Sequence, residues 1–371
     1  MRIAILSGRN SVHAVRWTNE MARRGHDVHL ISVHPGNEPL DPGVTLHMLP
    51  YGAPAGYVAS GLALRRVLRQ LLPDVLHVHH AGGYGVLGQL SGYHPRIVSV
   101  WGADVFLVPS TSPVHHWLIV RTLKTADWVC STSAVMAVRT RVLCPELPHL
   151  SVVPFGVEME KFQPRTGADV RPRRVIVGAV KQLSMLYGVD VLLRAFVKAR
   201  DVLRRLNSPE APELELRIIG DGPDRQALVA LAQQLGLPES VFYGRAPHAQ
   251  IPSLLREMDI FVAVKRAESF GVAVIEASAT GLPVVVSDVG GLPEVVAADV
   301  TGFIVPAEDV AATAAAIITL ALNPDLRETM GAAGRRLVEE RYTWSRNADT
   351  MEEIYREVAR IGPGRVHRPM A

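Results

Sequence analysis

Hydrophobic positions along the chain fall into short β-branched runs separated by longer amphipathic stretches. In the first half the runs are Ile3–Leu6, Val28–Val33, Val44–Leu49, Val75–Val78, Ile97–Val100, Trp128–Cys130 and Val152–Val153. Between them, Val12–Arg24, Val58–Leu72 and Val114–Ala126 carry apolar residues at helical spacing. This alternation predicts βαβ units and a parallel sheet. The second half repeats the pattern. Its strand candidates are Arg174–Gly178, Leu214–Ile219, Val241–Tyr243, Ile260–Val264, Val284–Ser287 and Phe303–Val305. Helices are expected at Val189–Leu206, Asp224–Leu235 and Val272–Ala279, then at Leu326–Glu340 and Ser345–Ile361. The last residues, Gly362–Ala371, are rich in Gly, Pro and Arg and read as a frayed end.

Pro154, Pro164 and Pro172 punctuate a polar stretch without a strong period, which reads as an interdomain linker. The expected fold class is α/β, with two doubly wound Rossmann-like domains facing a cleft. The domains are placed at 1–160 and 173–342. A C-terminal helix follows at 343–371, with packing back on the first domain as one option. In such sheets ligands bind at the carboxyl ends of the strands, and between two domains a cleft is the natural site.

Composition narrows the class. A length of 371 residues at 48% hydrophobic and 20% charged suits two globular cores and excludes disordered or low-complexity chains. The net charge of +3 is too small to point to nucleic acid. It is unevenly spread: before residue 158 there are 13 Lys and Arg against 8 Asp and Glu, and 12 of the 14 histidines precede residue 150. Cys130 and Cys144 lie in no metal-ligand spacing, and their scarcity suggests a reducing, cytoplasmic setting. The apolar run after Met1 is too short for a signal peptide. The Ala-rich stretch Val310–Leu322 is too short to span a membrane and reads as a helix of the fold.

The most informative segment is Lys265-Arg266-Ala267-Glu268-Ser269-Phe270-Gly271-Val272-Ala273-Val274-Ile275-Glu276. It follows a strand, so Glu268 stands in a strand-end loop. A helix opening after Gly271 leaves free N–H groups at Phe270, Gly271 and Val272, suited to a phosphate. Glu276 lies about one and a half turns into that helix behind apolar neighbours, and a carboxylate so placed needs a partner. Ser269 is an alternative helix cap.

This segment resembles the Glu–seven residues–Glu motif of the family 4 retaining glycosyltransferases of GT-B fold. Gly220-Asp221-Gly222-Pro223, Gly281-Leu282-Pro283, Gly290-Gly291-Leu292-Pro293-Glu294, Gly302-Phe303-Ile304-Val305-Pro306 and Val153-Pro154-Phe155-Gly156 extend the resemblance along the chain in the family's order. The resemblance implies a nucleotide-diphosphate sugar, UDP-linked by preference, as co-substrate, with no further cofactor. Glu268 would touch hydroxyls of the donor sugar. Ser269, Phe270, Gly271 and Val272 would line the diphosphate, and Glu276 would take the ribose hydroxyls. Lys181 fits the family's first phosphate-binding cation. A second lysine is expected before Gly188, but Leu186 stands there. Lys265 and Arg266 read first as solvated loop charges, with compensation for the missing lysine as the alternative.

In the first half, Gly8 in the loop after the first strand permits close backbone approach to a donor, and Arg9 and Arg16 are candidates to line the cleft, with a solvated face as the equal alternative for Arg16. His77 and His79 alternate onto one strand face beside His80. Zinc ligation lacks further ligands at useful spacing, so no metal is expected and an acceptor-side or packing role for His79 is preferred. Trp101-Gly102-Ala103-Asp104 is similar to the family's His-Gly-x-Asp, with Trp101 in place of the histidine. Trp101 is assigned to the acceptor side with Arg9. Asp104 is a candidate for acceptor binding or proton acceptance, or a helix cap. No loop carries an Asp-x-Asp pair, which argues for a metal-independent reaction. The basic amphipathic stretch Leu62–Leu72 suits either a solvated face or a peripheral contact with an anionic membrane.

The expected function is transfer of a sugar to a hydroxyl of a glycan, lipid-linked or small-molecule acceptor, as in polysaccharide biosynthesis. The alternatives are a nucleotide-sugar 2-epimerase and a non-catalytic partner subunit.

Overall fold

A computed structural model describes residues 1–147, 149–165, 173–206 and 211–360. Pro172, Ile361 and Gly362–Ala371 therefore lie outside the described residues. The chain divides into two compact units, Met1–Phe155 with Trp344 onward, and Gly156–Thr343.

The first unit holds β1 (Arg2–Leu6), β2 (Asp27–Ser32), β3 (Val44–Met48), β4 (Val75–His79), β5 (Arg96–Val100), β6 (Trp128–Ser131) and β7 (Leu150–Val152). Their order is β3-β2-β1-β4-β5-β6-β7, all parallel. The second unit holds β8 (Arg174–Val180), β9 (Glu213–Ile219), β10 (Phe242–Gly244), β11 (Ile260–Ala263), β12 (Val284–Ser287) and β13 (Gly302–Val305), in the order β10-β9-β8-β11-β12-β13, again parallel. Strand order reverses between β1 and β4, and between β8 and β11. Ligands of doubly wound sheets bind beside such reversals. Helices cover both faces, so the central strands read as near-continuous apolar runs. Ile3, Ala4, Ile5 and Leu6 are all fully buried.

Element boundaries fall close to those expected, with local exceptions. The stretch Val58–Leu72 is two helices, Gly56–Ala59 and Gly61–Leu71. A helix at Gly83–Ser91 carries three glycines and escaped the sequence pattern, because glycine weakens helical signals. Close packing explains the glycine at 88, where an added Cβ would stand 2.8 Å from a Val78 methyl. Val310–Leu322 is a helix of the second unit packed on helix Val189–Arg205. No helix among the described residues is long and apolar enough to cross a membrane.

The C-terminal helix Trp344–Ala359 belongs to the first unit, where it packs on helix Val12–Arg23 and on β4. The Trp344 ring meets Trp17 edge-on at 5.0 Å. Arg24 donates to Asp349 at 2.7 Å, and His26 Nε2 lies 2.8 Å from Glu352. The same helix explains two histidines inside the sheet. His77 and His79 share one face of β4, with ring centroids 4.5 Å apart. His77 Nδ1 lies 2.6 Å from the Tyr355 hydroxyl, and its Nε2 lies 2.7 Å from Ser99 Oγ. Burial drives the His77 pKa down to about 3 and pushes that of His79 well below its usual value.

These rings tie stability to pH. An unfolded histidine takes up a proton near pH 6.5, whereas folded His77 stays neutral down to about 3. The unfolded state therefore binds more protons between those values, so stability is complete above pH 6.5 and falls as the solution is acidified. Each such group contributes a slope approaching about 1.4 kcal/mol per pH unit. His77→Gln, whose amide can bond both Ser99 and Tyr355, is expected to flatten the decline in the urea midpoint between pH 7 and pH 5. An unchanged slope would refute this account.

Candidate active site

The site of the second unit is assembled where its strands end. After β11, residues 264–271 turn back to start helix Val272–Ala279. Gly271, at φ 111°, is the capping residue of that helix and offers no side chain. Ser269 is accordingly not the cap, and its N–H donates 3.1 Å to Glu268 Oε1. The first intrahelical bonds run from Val274 and Ile275 to the Gly271 carbonyl. The N–H groups of Gly271 and Val272 precede them, so the helix presents the positive end expected for an anion site. Glycine at 290 is required by the neighbouring turn, at φ 53°, where a Cβ would strike the Glu268 carbonyl oxygen.

Glu268 lies between two ammonium groups. Lys265 Nζ donates to Glu268 Oε2, and Lys181 Nζ stands 3.4 Å from the same oxygen. Lys181 also sits 4.1 Å from the centre of the Tyr187 ring, a cation–π contact. Burial alone would raise the Glu268 pKa, but the charges of Lys265 and Lys181 outweigh it and hold the carboxylate at about 2. Lys265, only 2% exposed, is lowered to about 8 by burial first and by Lys181 second, against the pull of Glu268. Lys265 is thus no solvated loop charge, which corrects the first reading. Nor is Arg266. Its guanidinium grips Asp190 with two bonds of 2.9 Å and reaches Glu308 at 2.7 Å.

A cavity of about 570 Å³ opens beside Lys181. It is lined by the ends of β8 and β9, by Gly220-Asp221-Gly222, and by Arg245, Ala246 and Ile251. Glu276, 5% exposed, has the partner its burial requires: His248 Nε2 lies 2.9 Å from Glu276 Oε1. Sequence reasoning missed His248. It sits in a short 3-10 turn at His248–Gln250, 28 positions from Glu276, and no spacing rule connects them.

In the first unit the named residues gather at the carboxyl ends of β1, β4 and β5. Gly8 accepts from the Ser11 N–H at 3.0 Å in the turn that starts helix Val12–Arg23. Arg9 is 8% exposed, its backbone N–H bonds Ser32 Oγ at 3.0 Å, and its Nε and Nη1 have no partner among the described residues. His79 is fully buried, with Nδ1 3.0 Å from Ser7 Oγ, and its ring lies 4.4 Å from that of Trp101. Trp101 further meets the rings of His80 at 4.8 Å and Phe155 at 5.2 Å. Asp104 is 3% exposed. Its carboxylate accepts from the N–H groups of Trp101 at 3.1 Å, Gly102 at 2.9 Å and Ala81 at 2.9 Å. That pattern joins the ends of β4 and β5 rather than capping a helix. Among the described residues no group of three or more His, Cys, Asp or Glu side chains is placed to hold a metal.

Two parallel α/β units of this topology, the second with an anion-receptive helix start at a strand reversal, define the GT-B class. Residues 2–133 match the glycosyl transferase 4-like family, and residues 163–337 match the glycosyl transferases group 1 family. The chain is 30% identical over 285 residues to the GDP-mannose-dependent alpha-(1-6)-phosphatidylinositol monomannoside mannosyltransferase of Mycolicibacterium smegmatis, covering 73% of this chain and 72% of that one. It is 27% identical over 406 residues to the D-inositol 3-phosphate glycosyltransferase of Saccharomonospora viridis, covering 95% and 89%. In fold it is similar to sucrose-phosphate synthase from Thermosynechococcus elongatus, with a TM-score of 0.82 at 20% identity over 98% of this chain and 100% of that one. It is also similar to HepE of Anabaena, solved in complex with UDP and glucose, with a TM-score of 0.76 at 17% identity over 95% and 99%. The chain belongs to the family 4 glycosyltransferases of GT-B fold and is a glycosyltransferase.

Removing the one carboxylate between two ammonium groups leaves a buried charge without its counter-ion, which typically costs about 3 kcal/mol. Glu268→Gln is therefore expected to lower unfolding stability by about that amount, and adding Lys265→Met should recover part of the loss. Chemical denaturation of the two variants checks this. Additive effects in the double variant would show that the groups are not coupled.

Proposed function

We propose that the chain is a retaining, metal-independent transferase that takes its sugar from a nucleoside-diphosphate donor, UDP-linked in the first instance. The observation that carries this reading is the pairing of Lys181 and Lys265 with one carboxylate, Glu268, in the loop that opens helix Val272–Ala279, with Lys181 also lining the cavity. The surplus positive charge of this cluster, with a helix start, can offset the charge of a leaving diphosphate without a metal ion. In this reading Lys181 and the N–H groups of Phe270, Gly271 and Val272 serve the diphosphate, with Ser269 beside them. Glu268 orients hydroxyls of the donor sugar, and Glu276, steadied by His248, accepts from the ribose hydroxyls. Gly8 lets the first strand–helix loop approach the donor.

The acceptor is assigned to the first unit. The unpartnered nitrogens of Arg9 suit an anionic group, and the Trp101 ring suits the apolar face of a sugar. His79 and Asp104 hold this region in shape, since both are buried and bonded inward. In the chemical step the bond from the sugar's anomeric carbon to the diphosphate oxygen breaks. A bond to the acceptor oxygen forms on the same face, and the hydroxyl proton passes to the leaving diphosphate oxygen. Acceptors in the class are glycans, lipid-linked sugars and small molecules. The exposed Arg65, Arg66 and Arg69 of helix Gly61–Leu71 would suit a peripheral contact with an anionic membrane.

A panel of UDP- and GDP-sugars, followed by NMR of the anomeric configuration, tests the reading. Binding or hydrolysis of a donor is expected. Silence across the panel overturns it, and an inverted product overturns the retaining assignment. A sugar that changes configuration at carbon 2 without any acceptor would identify an epimerase instead. Glu276→Ala is expected to weaken the preferred nucleotide at least tenfold by calorimetry, and Lys181→Ala to weaken the diphosphate more than the free nucleoside.

A further inference from the structure

We propose that Lys265 supplies the second positive charge of the diphosphate subsite, taking over in space from the lysine that the family resemblance places at Leu186. The proposal rests on the nucleoside-diphosphate reading above.

The two positions are far apart in sequence but adjacent in the fold. The Leu186 carbonyl accepts from the Arg266 N–H at 2.9 Å. Gly188, at φ 65°, exists because a Cβ there would strike the Val264 carbonyl oxygen, and it would stand 3.5 Å from Lys265 Cα. Lys181, Tyr187, Gly188 and Lys265 line one narrow crevice of about 10 Å³. A side chain leaving the chain at 265 therefore starts beside the loop that carries Leu186. Leu186 itself is 39% exposed and uncharged.

The charge balance gives Lys265 its role. Glu268 is the only carboxylate that either Lys181 or Lys265 contacts among the described residues. The nearby acids Asp190 and Glu308 are held by Arg266. With Lys265 absent, Glu268 and Lys181 form a neutral pair, and nothing is left over for an anion. With Lys265 present, it is the closer partner of Glu268, and the cluster carries one net positive charge. Lys265 thereby frees the ammonium charge of Lys181 for the diphosphate while keeping Glu268 ionised toward the donor sugar. Lys265 is thus a positioning residue that acts through Glu268 and Lys181.

Calorimetric titration with UDP, GDP, uridine and guanosine tests this on the full chain. Lys265→Met is expected to weaken the preferred nucleoside diphosphate at least tenfold while changing the matching nucleoside less than twofold. Leu186→Lys in the Lys265→Met background is expected to restore most of the loss. Leu186→Lys alone alters an exposed position, so folding does not confound it. It is expected to gain less than threefold, because the second charge is already supplied. A tenfold gain in that variant overturns the proposal. So does wild-type affinity in Lys265→Met, or an equal loss for nucleotide and nucleoside. If the wild type binds neither diphosphate, the donor reading fails and this proposal fails with it. If the wild type binds and Lys265→Met binds equally well, only the role of Lys265 is lost.

Discussion

A parallel strand covered by helices on both faces has no room for a solvated charge along its length. In this protein that constraint decides where chemistry can occur. Arg9, Asp104, Lys181, Asp221 and Lys265 all stand one to four residues past the ends of β1, β5, β8, β9 and β11. Each strand feeds a turn into a helix, so charged side chains and helix N-termini collect at the same edge of each sheet. The concentration of functional groups there follows from desolvation, since every other placement along a central strand would bury a charge without water.

Where polar groups do enter the sheet, their state changes to suit it. His77 and His79 remain neutral because burial penalises the imidazolium form; both His77 nitrogens bond, to Tyr355 and Ser99, and His79 Nδ1 bonds Ser7. Cys130, buried on β6, has its thiol pushed up to about 12 and behaves as a small apolar group. At the strand ends the balance differs. Glu268 and Lys265 stay charged through each other, and the second ammonium of Lys181 leaves the cluster with a surplus. The contrast between the two units is therefore electrostatic. One sets neutral histidines and aromatic rings beside Arg9 and Asp104, and the other gathers two lysines around one carboxylate.

Much of this was legible in the amino-acid order because it depends on local periodicity. Apolar runs of two to six residues separated by amphipathic helices yield parallel sheets with little ambiguity, and the Glu268–Glu276 spacing marks a strand end followed by a helix. Leu186 as a departure was equally readable. The helix at Gly83–Ser91 was not, because its glycines serve packing against Val78 rather than turns. Asp104 looked like a cap or a proton acceptor. Its three main-chain donors come from two different strand ends, and sequence separation hides that.

What the sequence by itself determined is the α/β class, the order of strands and helices, the family and the positions of the motif carboxylates, since all of these are written in spacings of a few residues. What only the tertiary structure decided is partnership. His248 with Glu276, Tyr355 with His77, and Lys181 with Glu268 depend on which loops the folded sheets bring side by side. The same holds for burial, which turned Lys265 from a surface charge into part of a desolvated cluster. The energy of a charge is set by the atoms within a few ångströms of it, and across 87 positions of chain those neighbours are specified by the fold alone.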